Sequence, residues 1–368
     1  MGKVAKRIVV AVGISLLEGL LVVAGYVAYL MLTYERIADE VDISIDNDVA
    51  DVVLQMGRDY TAITYNIGFG AYTPGYTFFM DEGIMEDGTR TQGEHSVAAS
   101  EESVRACTQG AISTVRAIAP DFALFQEVDT DSTRSYGVNQ KQAIEMAFPH
   151  MGSAFAKNFH TAFLAYPLNE PHGIVNSGLL LLSGAHVASA VRRSFPVDEG
   201  IPVKFFDLDR CFMIERFPTS NGHELVLINS HMSAYDEGGR IRAQQLGLLM
   251  GVLAQEAAAG NYVIAGGDWN HALCGSESLY PSHQLTPPWL ATFDEGALPL
   301  GFSVVKADNI ADDATCRCAD IPYEPGVGYL VTIDGFIVSS NVRAHAKNVD
   351  TGFAYSDHNP VLLTFSLG

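Results

Sequence analysis

Apolar and polar positions divide the chain into three regimes. Residues 8–32 are apolar except for Glu18 and a few small or hydroxyl residues, residues 33–59 are acidic and without a strong period, and from residue 60 onward short apolar runs end again and again in polar clusters. The first regime is roughly 25 residues long, against about 20 needed to cross a bilayer as a helix. Lys3, Lys6 and Arg7 precede it, while Glu35, Asp39, Glu40 and Asp42 follow. This charge bias predicts a cytoplasmic N-terminus (1–7), a single-pass signal anchor (8–32) in the cell membrane, and an extracellular remainder. A cleaved signal peptide is the competing reading, but its apolar region normally runs about 7–15 residues, and no clean small-x-small cleavage site follows.

The second regime reads as a stalk or an edge element leading into the main domain, 60–368. There, residues 60–65 alternate and are rich in Thr, Ile and Tyr, as a strand is. A long aromatic loop follows (Phe69, Tyr72, Tyr76, Phe78, Phe79), with local packing preferred over a lid or a lipid-facing wedge. Residues 103–119 repeat apolar positions at helical spacing and stop at Pro120; residues 240–258 form a second helix. Further strands are predicted at 122–125, 177–182, 212–217, 225–229, 262–265, 329–333 and 361–365, with irregular proline-rich loops between Cys274 and Gly328. No internal repeat and no linker divides this region. Strands outnumber helices, which favours one α/β domain of paired sheets with helices packed outside.

Composition narrows the partners. The chain has 368 residues, 48% of them hydrophobic, and a formal net charge of −21. That charge argues against broad nucleic-acid affinity through a basic face. It leaves a phosphate substrate open if a divalent cation lies in the site, because the ion then dominates the local field. Five cysteines without zinc-ligand spacing exclude a dense disulfide framework. We expect Cys107 buried in its helix and Cys274 paired with Cys316 or Cys318 across the long loop; five reduced thiols are the alternative. No obligate protein partner is evident.

The polar clusters carry the chemistry. At strand ends stand Asn66, Glu127, His231, Asp268 with Asn270, Asp334, and Asp357 with His358. Each alone has a bland reading as a cap, a surface acid or an Asx turn. Together, carboxylates and amides without cysteine clusters suit a hard cation such as Mg²⁺ or Mn²⁺, and two histidines can donate to phosphate oxygens or a leaving group. Two glycines before Asp268 allow a close backbone approach to a neighbour or ligand. Neither a Gly-x-Ser-x-Gly elbow nor a phosphate-loop signature is present.

In this order the motifs resemble the endonuclease/exonuclease/phosphatase superfamily, the fold of DNase I, apurinic endonucleases, neutral sphingomyelinases and inositol polyphosphate 5-phosphatases. The resemblance covers residues 60–368 and rests on Tyr-Asn66, Gln126-Glu127, Asn-Ser-His231, Gly-Asp268-Trp-Asn270, Ile-Asp334-Gly-Phe and Ser-Asp357-His358-Asn-Pro. It implies a four-layer α/β/β/α sandwich of two mainly antiparallel sheets. It also implies roles: Glu127 as the main ligand of Mg²⁺ (or Mn²⁺), helped by Asn66 and Asp357; Asp268 aligning or deprotonating the attacking water; Asn270 holding it or the phosphate. His358, oriented by Asp334, stabilises the charge on phosphorus, and His231 binds phosphate or protonates the leaving oxygen. Tyr136, after Arg134, matches a phosphate-contacting tyrosine. Trp269 departs from the commoner Phe or Leu and implies only a packing adjustment. His231 sets the chain apart from apurinic endonucleases, which tend to lack a histidine there.

The function so implied is a membrane-anchored, metal-dependent phosphoesterase acting on nucleic acid, phospholipid or a soluble ester. A nuclease or broad phosphodiesterase ranks first and a sphingomyelinase- or inositol-phosphatase-like lipid enzyme second. A non-catalytic binding protein on the same fold is the reading from another class, and the complete polar set argues against it.

Overall fold

The acidic second regime is tied into the domain. In the computed structural model, which describes residues 2–49, 52–201, 203–205, 209–234, 236 and 239–368, Val41–Asp42 (β1) and Ile45–Asp46 (β2) pair with different sheets. Ahead of them runs one long helix, α1 (Lys3–Thr33), of whose described residues only Leu30 is buried. The main strands follow as β3 (Asp59–Asn66), β4 (Phe122–Asp129), β5 (Gly152–His160), β6 (Asn176–Ser183), β7 (Ser189–Ser194) and β8 (Cys211–Pro218). After these come β9 (Glu224–His231), β10 (Tyr262–Asp268), β11 (Phe302–Val304), β12 (Asp334–Ser339), β13 (Val342–Asn348) and β14 (Val361–Leu367). Three helices accompany them, α2 (Glu101–Ile118), α3 (Gln140–Ala147) and α4 (Arg240–Ala258).

The strands build two seven-stranded sheets, one in the order β13-β14-β3-β4-β6-β5-β2 and the other β1-β7-β8-β9-β10-β12-β11. Each sheet is antiparallel except for one pair, β3 with β4 and β9 with β10. Parallel neighbours need a crossover, and α2 and α4 supply it. The consequence positions the site: the C-terminal ends of β3 and β4 lie side by side in one sheet, and those of β9 and β10 in the other.

Alternation decides which face meets which layer. In β14, Val361, Leu363, Phe365 and Leu367 point inward and join Leu124, Leu181, Met213, Leu227, Ile264 and Phe336 between the sheets. The opposite face of the first sheet, with Ile63, Tyr65, Phe125 and Leu180, is covered by Ala111, Ile112 and Val115 of α2 and Ile144 of α3. Val226, Ile228, Val263 and Ala265 of the second sheet receive Leu246, Leu249 and Leu253 of α4. The expected four layers, α/β/β/α, are present. Helix α2 starts where Ser100 accepts the Ser103 N–H at 3.1 Å, with Glu101 and Glu102 in its first turn. A polar bolt crosses the apolar interior between the sheets. Gln126 donates to Asn229 Oδ1 at 2.8 Å, and Asn229 returns Nδ2 to the Phe125 and Leu180 carbonyls at 3.1 and 3.3 Å.

Several expectations change. The strand expected at 329–333 is short (Leu330–Val331), and Asp334 opens β12 where it was expected to follow a strand. The reason is register: β12 runs antiparallel to β10 with Asp334 opposite Asp268. Cys274 packs beside the inter-sheet and α4 clusters, whereas Cys316 and Cys318 join Tyr329 and Val331 elsewhere, so the expected cross-link is not formed and all five cysteines are free thiols. The aromatic loop is packed, with Phe69, Tyr72, Tyr76 and Phe78 buried against Val104 and Ala319.

Candidate active site

Eight of the ten residues singled out in the sequence meet where the two sheets present their parallel strand ends. β3 delivers Asn66, β9 His231 and β10 Asp268; His231 lies opposite Asp268 in register, and Asp268 opposite Asp334. Glu127 arrives by a bulge in β4, where the pairing with β6 shifts between Phe125 and Val128 and Glu127 adopts φ +55°. The turn before β14 supplies Asp357 and His358, with the Ser356 hydroxyl accepting the His358 N–H at 3.1 Å and donating to the Asn66 carbonyl at 2.8 Å.

Asn66 is the hub. Its Nδ2 lies 3.2 Å from Glu127 Oε1, 3.0 Å from Asp268 Oδ2 and 3.4 Å from His358 Nε2, while Oδ1 accepts the Gly68 N–H at 3.0 Å. Expected as a cation ligand, it presents nitrogen here and ties carboxylates together. Offering oxygen requires turning the amide over and giving up the Gly68 bond. Gly68 itself is required: it sits at φ +50°, and a Cβ there would stand 2.9 Å from Asp357 Oδ1. Gly267, before Asp268, makes its close approach to a neighbouring strand, since a Cβ would collide with the Ser230 carbonyl.

Three carboxylates surround His358. Its Nδ1 donates to Asp334 Oδ2 at 2.8 Å; its Nε2 lies 3.8 Å from Asp268 Oδ2 and 3.9 Å from Asp357 Oδ2. Burial disfavours the imidazolium, but Asp334, Cys316, Asp357 and Asp268 outweigh it and raise the pKa well above the usual value, so the ring is charged at neutral pH. His231 is the converse. Burial, with Arg210, His358 and Arg134 nearby, drives its pKa well below the usual value, so the ring is neutral. Its Nε2 is 3.4 Å from Asp268 Oδ2 and its buried Nδ1 has no partner among the described residues. Burial raises Asp268 to about 7, opposed by His358 and reinforced by Asp334. Burial likewise raises Asp357 to about 6, with His358 opposing and Glu127 reinforcing. Asn270, at φ +50°, donates its backbone N–H to Asp268 Oδ1 at 2.9 Å and its side chain to the Met232 carbonyl at 2.9 Å.

Ligand atoms of Asp268, Asp334 and His358 lie within 4.8 Å of one another. His358 spends Nδ1 on Asp334 Oδ2 and turns Nε2 toward Asp268, so the ring bridges the two carboxylates. The donors left for a cation are oxygens, from Glu127 and Asp357, with a buried Asp334 Oδ1 that has no partner among the described residues. Converging carboxylate oxygens, with Asp357 raised to about 6 by burial and by Glu127, fit a hard divalent cation.

Arg134 makes its bonds outside this group, although its charge is felt at His231 and Glu127 acts on it in turn. Arg134 is buried, forks onto Asp129 at 2.8 and 3.1 Å and lies 3.9 Å from the centre of the Phe69 ring, so its guanidinium is committed to structure. Tyr136 is about half exposed, in a left-handed turn at φ +55°. Arg317 escaped the sequence reading. It is buried, donates to the Thr73 and Tyr76 carbonyls at 3.0 and 3.2 Å, and its field counters the rise of Asp357. Flanked by two cysteines and outside every motif, it carried no signal.

Neither a family model nor a curated protein matches the chain at the sequence level. Solved structures do. An endonuclease/exonuclease/phosphatase from Beutenbergia cavernae DSM 12333 is 14% identical, with 84% of this chain and 72% of that one covered and a TM-score of 0.55. D. rerio TDP2 complexed with single strand DNA product is 16% identical over 84% of this chain and 99% of its own, TM-score 0.51. ANGEL2, a 2',3'-cyclic phosphatase, is 13% identical over 89% and 99%, TM-score 0.51. The chain has the endonuclease/exonuclease/phosphatase fold.

Proposed function

We propose that the protein is a membrane-anchored phosphoesterase that needs a divalent cation and hydrolyses phosphate esters by in-line attack of water. The observation that carries this reading is the convergence of Asn66, Glu127, His231, Asp268, Asp334, Asp357 and His358 at the paired strand ends of the two sheets, with His231 and His358 on either side of Asp268 Oδ2 at 3.4 and 3.8 Å; burial raises Asp268 to about 7, which suits a general base at neutral pH. Glu127 and Asp357 would hold Mg²⁺ or Mn²⁺, with Asn66 fixing Glu127. When bound, the cation neutralises phosphoryl charge and draws electron density from phosphorus.

The chain's own groups do the rest. Asp268 Oδ2 takes the proton of the attacking water, and Asn270, bonded through its backbone to Oδ1, fixes the carboxylate plane. Charged His358, held by Asp334, faces the negative charge that grows on the phosphoryl oxygens. Neutral His231 donates a hydrogen bond to a phosphate or leaving oxygen through Nε2. Its missing positive charge favours that donor role over a resident general acid.

The likenesses to a TDP2 bound to a DNA product and to a 2',3'-cyclic phosphatase support a nucleic-acid or nucleotide phosphodiester as first-ranked substrate. The packed aromatic loop supports the same ranking, because it offers no apolar wedge beside the site. A lipid phosphoester ranks second, on the strength of the helix that leads the domain. Plasmid DNA, single-stranded DNA, bis-p-nitrophenyl phosphate and sphingomyelin or phosphoinositide vesicles, each with Mg²⁺, Mn²⁺ or EDTA, test the proposal. EDTA-sensitive hydrolysis of a diester is expected. Vesicle-only activity reverses the ranking, and no hydrolysis of any substrate by folded protein favours the binding-protein reading.

A further inference from the structure

Helix α1 does not end in a free tether. Leu30, its buried residue, packs with Phe159, Leu164, Val175 and Phe205 of the domain. Two turns of the helix are stitched to the loop between β5 and β6: Tyr26 Oη donates to the Phe163 carbonyl at 3.1 Å and accepts the Ala165 N–H at 2.8 Å, and Tyr29 Oη accepts the Phe163 N–H at 3.0 Å. Tyr34 meets Phe205 edge-on, with the Lys204 ammonium 4.7 Å from the Tyr34 ring centre.

These bonds fix the height of the loop along the helix. Residues 8–25 rise about 27 Å at 1.5 Å per residue, close to the hydrocarbon thickness of about 30 Å. The bilayer is therefore filled by the helix below Tyr26, and Tyr26 and Tyr29 stand at headgroup depth, where tyrosines gather. The loop bonded to them stands at the same depth. It is also apolar outward: Leu168 is 86% exposed, Tyr166 58%, Ile174 44% and Phe163 40%. Exposed apolar residues on a loop bonded to a helix long and apolar enough to cross a membrane, with Lys204 beside the end of that helix, fit the lipid interface.

We propose that residues 162–174 form a second membrane contact, seated in the outer headgroup region, that fixes the domain's orientation on the bilayer; this rests on the anchored reading of α1. The loop also backs the active site. His172 lies between Phe69 and Phe79 at 6.5 and 6.2 Å between ring centres, and Phe69 follows Gly68, which abuts Asp357.

The test places tryptophan at Leu168 (Leu168→Trp) and at the exposed Leu300 (Leu300→Trp), in the turn that leads into β11 at the edge of the other sheet. The full-length protein is reconstituted into phosphatidylcholine/phosphatidylglycerol vesicles with plain or brominated acyl chains, and the emission of the wild type is subtracted. The expected result is that Leu168→Trp loses most of its added emission in brominated lipid while Leu300→Trp keeps its own. If the protein floats with the vesicles but Leu168→Trp is unquenched, the loop contact is overturned and the anchor stands. Blue-shifted yet unquenched emission overturns it in favour of a second copy of the chain on that face. Equal quenching at both positions overturns the defined orientation. Protein that does not float with vesicles overturns the anchor and this inference together.

Discussion

Glu215 lies between the two sheets with neither carboxyl oxygen bonded among the described residues, and burial pushes its pKa well above the usual carboxylate range. Its folded pKa is raised, so the folded state holds a proton that the unfolded chain releases above about 4.5, and stability falls as pH rises through and beyond that value. Glu215→Met is expected to stabilise the fold by about 1–3 kcal/mol at neutral pH and by less at pH 4, read by chemical denaturation at both. Asp268→Asn and His358→Ala are expected to lower turnover by about 10²–10⁴-fold with the fold intact; near-normal turnover in either removes the proposed base or charge stabiliser. The identity of these residues was legible in the sequence, because each ends or opens an apolar run in family order. Their electrical states were not. Nothing in Asn-Ser-His231 or Ser-Asp357-His358 says that one ring is driven toward the neutral form and the other toward the charged form, since two of the three carboxylates near His358, Asp334 and Asp268, come from other strands. Nor does the sequence show that Asp129, five residues away, takes the Arg134 guanidinium inward.

A bulge makes β4 more than a sheet strand. Glu127 stands at φ +55°, a conformation that costs a side-chain-bearing residue of order 1–3 kcal/mol. Glu127→Gly is expected to relieve that strain, offset by about 0.5–1 kcal/mol of chain entropy, and to raise the melting temperature while abolishing cation-dependent activity. Glu127→Gln keeps the strain and is expected to raise the Mg²⁺ requirement without a comparable thermal gain. A Glu127→Gly variant with unchanged melting temperature and activity sinks both claims. At this scale the long periodic elements were readable: α4 spans the expected 240–258, and α2 begins within two residues of expectation. The strands missed have weak contrast. β13 alternates Arg343, His345 and Lys347 with small alanines, and β5 carries Lys157 and Asn158 among its apolar positions. The parallel pairing of β3 with β4 and β9 with β10 is a tertiary fact that periodicity does not carry.

The whole molecule begins before its first long strand. β1 and β2 cap the outer edges of β7 and β5, and Arg36 pairs with Asp209 ahead of them. A chain beginning at Arg36 keeps both edges paired and is expected to be monomeric, losing only the stability that the Leu30 and Tyr34 contacts contribute. One beginning at Tyr60 uncovers two sheet edges and is expected to melt lower and to aggregate; size-exclusion and thermal melts check it, and identical behaviour of the two chains refutes it. The bolt of Asn229 and Gln126 has its consequence at this scale as well. Asn66, Glu127, Asp357 and His358 ride on one sheet; His231, Asp268, Asn270 and Asp334 ride on the other. An apolar sandwich alone lets two layers creep past each other with little penalty, and a creep of a fraction of an ångström would spoil every cross-sheet distance in the site at once. A directional amide pair at mid-interface acts as a dowel. It indexes the two halves of the site to each other, so that one layer cannot slide along the other without first breaking a buried hydrogen bond.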